Sequence, residues 1–213
     1  MRRPSGVATA SQTRAYAARP AIIAEQLRRE VAEVPARPHG RPAVVLLMGL
    51  PGVGKSHVAR LLCAALGAAH VATDELRSRL FIAASYTDAE NRAVFAAAEA
   101  LVDGLLAEGH RVVVDATNLR ARDRAPVAGV AKRRGVPLAY VLVTAPEADV
   151  RARLEARRSA RAASDHSDAD VQVYERMRGR TFEPPAGVIE VANDPEVERA
   201  VARVAAAVEA GTP

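Results

Sequence analysis

Tryptophan is absent, cysteine occurs once, and Phe and Tyr together make up only 3% of the chain. A single cysteine, Cys63, cannot form an internal disulfide, which excludes the disulfide-stapled secreted class and fits a reducing cytoplasm. Cys63 falls among the apolar positions of a predicted helix and reads as a small buried thiol. So few aromatics count against a broad stacking surface for single-stranded bases. No apolar run approaches the ~20 residues that a membrane span needs. The N-terminal Met1-Arg2-Arg3-Pro4 is not followed by an apolar signal core, so neither membrane insertion nor secretion is expected. No Cys/His cluster has zinc-ligand spacing. Lysine is almost missing too: of 30 basic residues only Lys55 and Lys132 are lysines.

What remains is ordinary globular composition, 49% hydrophobic and 26% charged over 213 residues, enough for one domain with its own core. The net charge of +5 and the pI near 10.0 suit a polyanionic partner or an enzyme of nucleotide phosphates equally.

One stretch organises the rest. Gly49-Leu50-Pro51-Gly52-Val53-Gly54-Lys55-Ser56 fits G-x-x-x-x-G-K-[ST]. An unbroken apolar run, Ala43 to Met48, precedes it as expected for a doubly buried strand, and Val58, Leu61, Leu62 and Ala65 follow at helical spacing. Strand, glycine loop and helix form the context in which backbone N–H groups and a helix N-terminus hold phosphates. Gly49 to Ser56, with His57 next to them, are the candidate nucleotide contacts. Lys55 would reach the β and γ phosphates, and Ser56 would hold Mg²⁺.

Further along, a tail up to about Pro20 and a short helix from Ile22 to Glu33 precede a proline-rich linker. Residues 1–42 are therefore set apart from a domain spanning 43–213. His70 to Thr73 reads as a strand ending at Asp74, and Arg77 follows one turn later. Thr87 and Glu90 make a capping box for a helix reaching Gly109. Arg111 to Val114 is a third strand, delivering Asp115 and then Asn118 to the same edge, where open α/β sheets bind ligands. A helix over 120–134 is expected to break around Pro126 and Gly129 and to close at Gly135. Leu138 to Thr144 is the fourth strand, and Pro146 opens a helix bearing Arg151, Arg153, Arg157 and Arg158. Ser159 to His166 reads as a mobile loop, and Ser167 with Asp170 as a cap for a helix through Tyr174. Val188 to Val191 is a fifth strand, and Asp194-Pro195 caps a last helix with Val197, Val201, Val204 and Val208 on one face. Alternating strands and helices predict a parallel sheet covered on both sides.

Phosphate binding leaves the reaction open. A guanine-specific switch needs an Asn-Lys-x-Asp segment, which the two lysines exclude, and Asp115 is followed by Ala116 where a motor ATPase commonly carries a water-activating Glu. Asp74 is a candidate acceptor of the proton from an incoming hydroxyl, or a helix N-cap. Arg77 is a candidate substrate contact or a solvated surface charge, and Asn118 a second candidate substrate contact. Asp115 would approach Mg²⁺ through water or cap the Thr117 backbone. Arg153 and Arg157, one turn apart beside a lid over about 153–180, would offset charge on the transferred group. His57 and His70 read as structural with respect to the chemistry.

Gly49 to Ser56, Thr73-Asp74-Glu75-Leu76-Arg77, Asp115-Ala116-Thr117-Asn118, Arg153-x-x-x-Arg157, Ser167-Asp168-Ala169 and Phe182-Glu183-Pro184-Pro185 together resemble a bacterial family of P-loop kinases. These have an AAA-type ATP-binding domain related to the kinase domain of phage-type polynucleotide 5′-kinase. The resemblance spans about Ala43 to Val191. It implies a three-layer α/β/α fold with a five-stranded parallel sheet of order 2-3-1-4-5, and ATP with Mg²⁺. It further implies an acceptor-activating role for Asp74, a grip on a neighbouring substrate phosphate for Arg77, and phosphate contacts for Arg153 and Arg157. No sugar-binding signature of gluconate-type kinases is found, and the family's acceptors vary, so nucleic acid is one acceptor among several. The expectation is an ATP-dependent phosphotransferase acting on a hydroxyl of a small molecule or a nucleic-acid 5′ end, with a non-catalytic ATP-binding regulatory domain as the alternative.

Overall fold

The computed structural model describes Glu25, Leu27, Arg28 and residues 34–81, 87–160, 171–179, 182 and 184–211, with the side chains of 157–160 outside that set. Five parallel strands run in the order β2-β3-β1-β4-β5, as the resemblance implies: β1 Val44–Met48, β2 Ala69–Ala72, β3 Val112–Asp115, β4 Leu138–Thr144 and β5 Ile189–Ala192. The central β1 pairs with β3 through Val44↔Val112 and with β4 through Val44↔Leu138. Its unbroken apolar sequence is explained by burial on both faces.

The alternation of side chains along each strand divides the core in two. Val44, Leu46, Met48, Val112 and Val114 face one layer, formed by α2 (Thr73–Leu80), α3 (Asp88–Ala107) and α4 (Ala121–Arg134). Val45, Leu47, Val113, Val141 and Val143 face the other, formed by α1 (Lys55–Leu66), α5 (Glu147–Ala160), α6 (Val171–Arg178) and α7 (Val197–Ala210). Leu27, from the predicted N-terminal helix, is buried in the first layer, and its neighbour Arg28 pairs with Glu108.

Several local expectations are corrected. β2 stops at Ala72, and Thr73 already belongs to α2, whose N-cap is Ala72 with no side-chain bond. Asp74 is therefore inside the first turn, where its charge suits the helix dipole, and is not the N-cap. α4 runs through Pro126 and Gly129 without a break. Proline removes one N–H bond there, but Val127, Val130 and Ala131 bury into the core, and that packing outweighs the lost bond. Gly135 ends the helix in the left-handed region at φ 63°, as expected. Ser159 and Ala160 remain helical, while the rest of the expected loop and the Ser167/Asp170 cap lie outside the described residues. The last helix is capped at Glu196; Asp194 Oδ1 accepts the Glu196 N–H at 2.9 Å from just before it. The Thr87 cap accepts the Glu90 N–H at 3.2 Å, as the capping box predicts.

Candidate nucleotide and phosphotransfer site

A parallel sheet directs the carboxyl ends of its strands to one edge, and here that edge is a cleft of about 1150 Å³. Gly49 to His57 line its middle, because β1 is the middle strand. Asp74, Arg77, Asp115 and Asn118 line the β2–β3 side, and Arg153 and Asn193 the β4–β5 side. Every described side chain among the predicted site residues thus faces one cavity. The Arg157 side chain lies outside the described residues.

The loop is shaped for an anion. Gly54 is the N-cap of α1 at φ 94°, a conformation that glycine tolerates and other residues resist. A Cβ at Gly54 would also overlap the Asn193 amide. No side chain caps α1 and no acidic residue occupies its first turn, so neither a capping bond nor a carboxylate competes for that N-terminus. Asn193 Nδ2 donates to the Val53 carbonyl at 2.9 Å, and Arg153 Nη1 donates to the same carbonyl at 3.3 Å. Lys55 Nζ donates to the Leu50 carbonyl at 2.9 Å, folded back on its own loop within reach of incoming phosphates.

On the β3 side, the N–H of Gly49 donates to the Thr117 carbonyl at 3.1 Å. Asn118, at φ 45°, donates its amide to the Leu47 carbonyl at 2.9 Å and is 3% exposed. Its side chain thereby ties the loop after β3 to the strand that carries the phosphate loop. Arg77 is buried and donates to Asn91 Oδ1 at 2.7 Å, with Glu90 at 4.0 Å, so α3 orients it. It is not the solvated surface charge of the simpler reading. Asp74 is exposed at the cleft.

Asp115 is 6% exposed. Burial disfavours its charge, but His70, Lys55 and Ser56 more than offset this, so its carboxyl titrates below the ordinary value of 3.8. His70 Nε2 lies 3.6 Å from Asp115 Oδ2. The Ser56 hydroxyl and the Asp115 carboxylate both line the cleft with Lys55, an all-oxygen pair of the kind that suits Mg²⁺. Among the described residues no group of three His, Cys, Asp or Glu forms a closed metal cage, and no helix is long and apolar enough to cross a membrane.

Among the cleft residues to which the sequence assigned no site role are Asn193, Phe95 and Phe182. Asn193 follows β5 as Asp74 follows β2, so the strand-end rule applied to the fifth strand would have found it. Phe95 lies one turn beyond Asn91 on α3 and has no local signal for a ligand, and Phe182 belongs to the Phe182-Glu183-Pro184-Pro185 segment of the family resemblance, which gave it no role in the cleft.

A parallel sheet of this order, with a glycine loop after its first strand, defines a P-loop nucleotide-binding domain of kinase-like topology. The chain belongs to the AAA domain family, whose model matches residues 44–185. Solved structures share the fold. Kti12 of Chaetomium thermophilum in complex with ADP-AlF3 is 23% identical with a TM-score of 0.64, over 80% of this chain and 99% of that one. The APS kinase CysC of Mycobacterium tuberculosis, in complex with AMPPNP and APS, is 24% identical with a TM-score of 0.56, over 80% and 99%. A gluconokinase from Sinorhizobium meliloti 1021 is 22% identical with a TM-score of 0.57, over 81% and 96%. No curated protein matches the sequence.

Proposed function

We propose that the protein is an ATP-dependent phosphotransferase that moves the γ-phosphate to a hydroxyl group. The observation that carries this is Asp74, an exposed carboxylate on the same cleft as Lys55 and the phosphate loop, in the first turn of the helix that follows β2. The structural neighbours add support, since two are kinases and one of these was solved with an ATP analogue.

The acceptor oxygen would form its bond to the γ-phosphorus while the bond from that phosphorus to the β–γ bridging oxygen breaks, and ADP leaves. The hydroxyl proton passes to Asp74 and on to water. A carboxylate is adequate because the transition state is loose and the proton departs late. Lys55 exchanges the Leu50 carbonyl for phosphate oxygens. Arg153, already at the loop carbonyls, and Arg157 one turn further are assigned to charge developing on the transferred group. Mg²⁺, held by Ser56 and Asp115, would neutralise the β and γ oxygens. Arg77, held by Asn91, and Asn118 are assigned to the acceptor side. Residues 1–42 are taken as an appendage to the catalytic domain, 43–213, with the lid over about 153–180 and a cytoplasmic location.

The test is transfer of label from γ-labelled ATP into pooled hydroxyl acceptors. Asp74→Asn should reduce transfer by about 10²-fold or more while ATP affinity stays unchanged. If ATP binds yet no pool accepts label, the protein is a non-catalytic ATP-binding domain.

A further inference from the structure

Aromatic side chains are scarce, three Phe and four Tyr, yet Phe95, Tyr174 and Phe182 all line the cleft. The two-layer core separates them. Tyr174 packs in the layer of α1 and α7, on the side of Arg153 and Asn193. Phe182 packs in the layer of α2, α3 and α4, and Phe95 belongs to α3 itself. Phe95 and Asn91 are one turn apart and Asn91 holds Arg77, so α3 carries both the ring and the residue that fixes the guanidinium, and both line the cleft together with Asp74.

Phe182 is held by a charge. The Arg124 guanidinium sits 5.9 Å from its ring centroid and donates to the carbonyls of Asn118 at 2.9 Å and Leu119 at 2.8 Å. Arg124 is 6% exposed, so these bonds are shielded from water. Asn118 in turn is bonded to Leu47, and the Gly49 N–H to Thr117. Hydrogen bonds, the Thr117–Asn118 peptide bond and the Arg124 guanidinium therefore link the phosphate loop to the ring. A ring fixed in advance loses little entropy when a ligand stacks on it. At about 1150 Å³ the cleft is large for a single small-molecule pocket.

We propose that Phe95 and Phe182, with Arg77 beside them, form the acceptor subsite and take a small acceptor carrying a planar heteroaromatic ring, a nucleoside or nucleoside monophosphate. Arg124 is a positioning residue that sets the Phe182 ring. The proposal rests on the phosphotransferase reading for its reaction but not for its binding, and the two are tested separately.

Nucleosides and their monophosphates should accept label from ATP in preference to gluconate and glycerol. Phe95→Leu and Phe182→Leu, which keep apolar volume but remove the flat face, should each raise the acceptor KM by about 5- to 100-fold, with kcat and the KM for ATP nearly unchanged. Arg124→Met should act in the same direction, and Arg124→Lys should restore part of the loss. Preference for the ring-free acceptors, acceptor KM values unmoved in both Phe variants, or transfer to 5′-hydroxyl oligonucleotides but not to nucleosides would each overturn the proposal. Should no acceptor take label, calorimetry of the ADP-loaded protein with AMP and GMP decides: binding lost in Phe182→Leu sustains the subsite while the phosphotransferase reading falls, and no binding sinks the subsite as well. Thermal melts of the variants check that each is folded.

Discussion

Single residues divide into those whose chemistry shows in their identity and those whose chemistry depends on what surrounds them. The loop Gly49 to Ser56 was legible because its residue types have few other uses at that spacing. Asp115 was legible as a strand-end carboxylate, but its company of His70, Lys55 and Ser56 was not, since these come from two segments distant from it in sequence, β2 and the start of α1. That company makes a prediction. A carboxyl whose native pKa lies below its unfolded value stabilises the fold above 3.8, and the contribution is lost as pH falls through the native value. Asp115→Asn, without added metal, should therefore melt below wild type at neutral pH, and the gap should close only below about pH 4, near the reference value. A gap that persists unchanged into acid would attribute the loss to packing. Gly54 makes a second prediction: Gly54→Ala meets both the strain of φ 94° and the Asn193 amide, and should weaken ATP binding by about tenfold or more. Gly135→Ala, at φ 63° with no atom near its added methyl, should cost about 1 kcal/mol of stability and leave ATP affinity alone. Isothermal titration of both variants checks the contrast.

At the scale of elements, periodicity and capping located the five strands and the helices of the described sheet domain other than α2, which was read only as a turn after Asp74, because apolar alternation and strand length are local properties. What they missed depended on tertiary packing. Pro126 looked like a break, yet α4 continues because its far end is anchored in the core. β2 ends early because the backbone turns into α2 before Asp74, whereas α7 starts late, with its N-cap at Glu196 and not at the expected Asp194. Long-range tethers leave no local trace, and Arg111 is the clearest. It is buried at the start of β3 and donates to the carbonyls of Arg41 at 3.2 Å and Leu66 at 3.1 Å, and to Glu209 at 3.3 Å. It thus joins the linker, the end of α1 and the end of α7 at one point. Arg111→Met should destabilise the fold by about 2 to 3 kcal/mol, because it strips buried carbonyls of their donor. Glu209→Gln should cost less than about 0.5 kcal/mol, since the Glu209 side chain is 55% exposed. Urea unfolding measures both; equal losses would shift the credit from the backbone bonds to the ion pair.

For the whole molecule, composition reported a charge of +5 but not its arrangement, and arrangement decides what the charge can attract. Arg120 is paired with Asp123, Arg133 with Glu99, Arg134 with Asp103 and Arg199 with Glu196. Arg151 and Arg178 share Glu147. Such exposed pairs add little stability, but each cancels a charge that a polyanion would otherwise meet. A protein contacting six to ten phosphates of a nucleic acid loses about 10³- to 10⁵-fold in affinity between about 50 and 200 mM salt. With these six arginines neutralised in pairs and three aromatic rings on one cleft, this protein should show a different response: the acceptor KM for a nucleoside should change by less than about threefold over that range, because no row of counterions is released. Steady-state transfer to a nucleoside and to a 5′-hydroxyl oligonucleotide, each measured across the salt series, separates the cases. A steep fall for the oligonucleotide alongside a flat nucleoside response would show that polyanion attraction exists but lies outside the catalytic subsite. A steep fall for both would place unneutralised charge at the acceptor itself, and Arg77→Gln should then flatten the nucleoside curve.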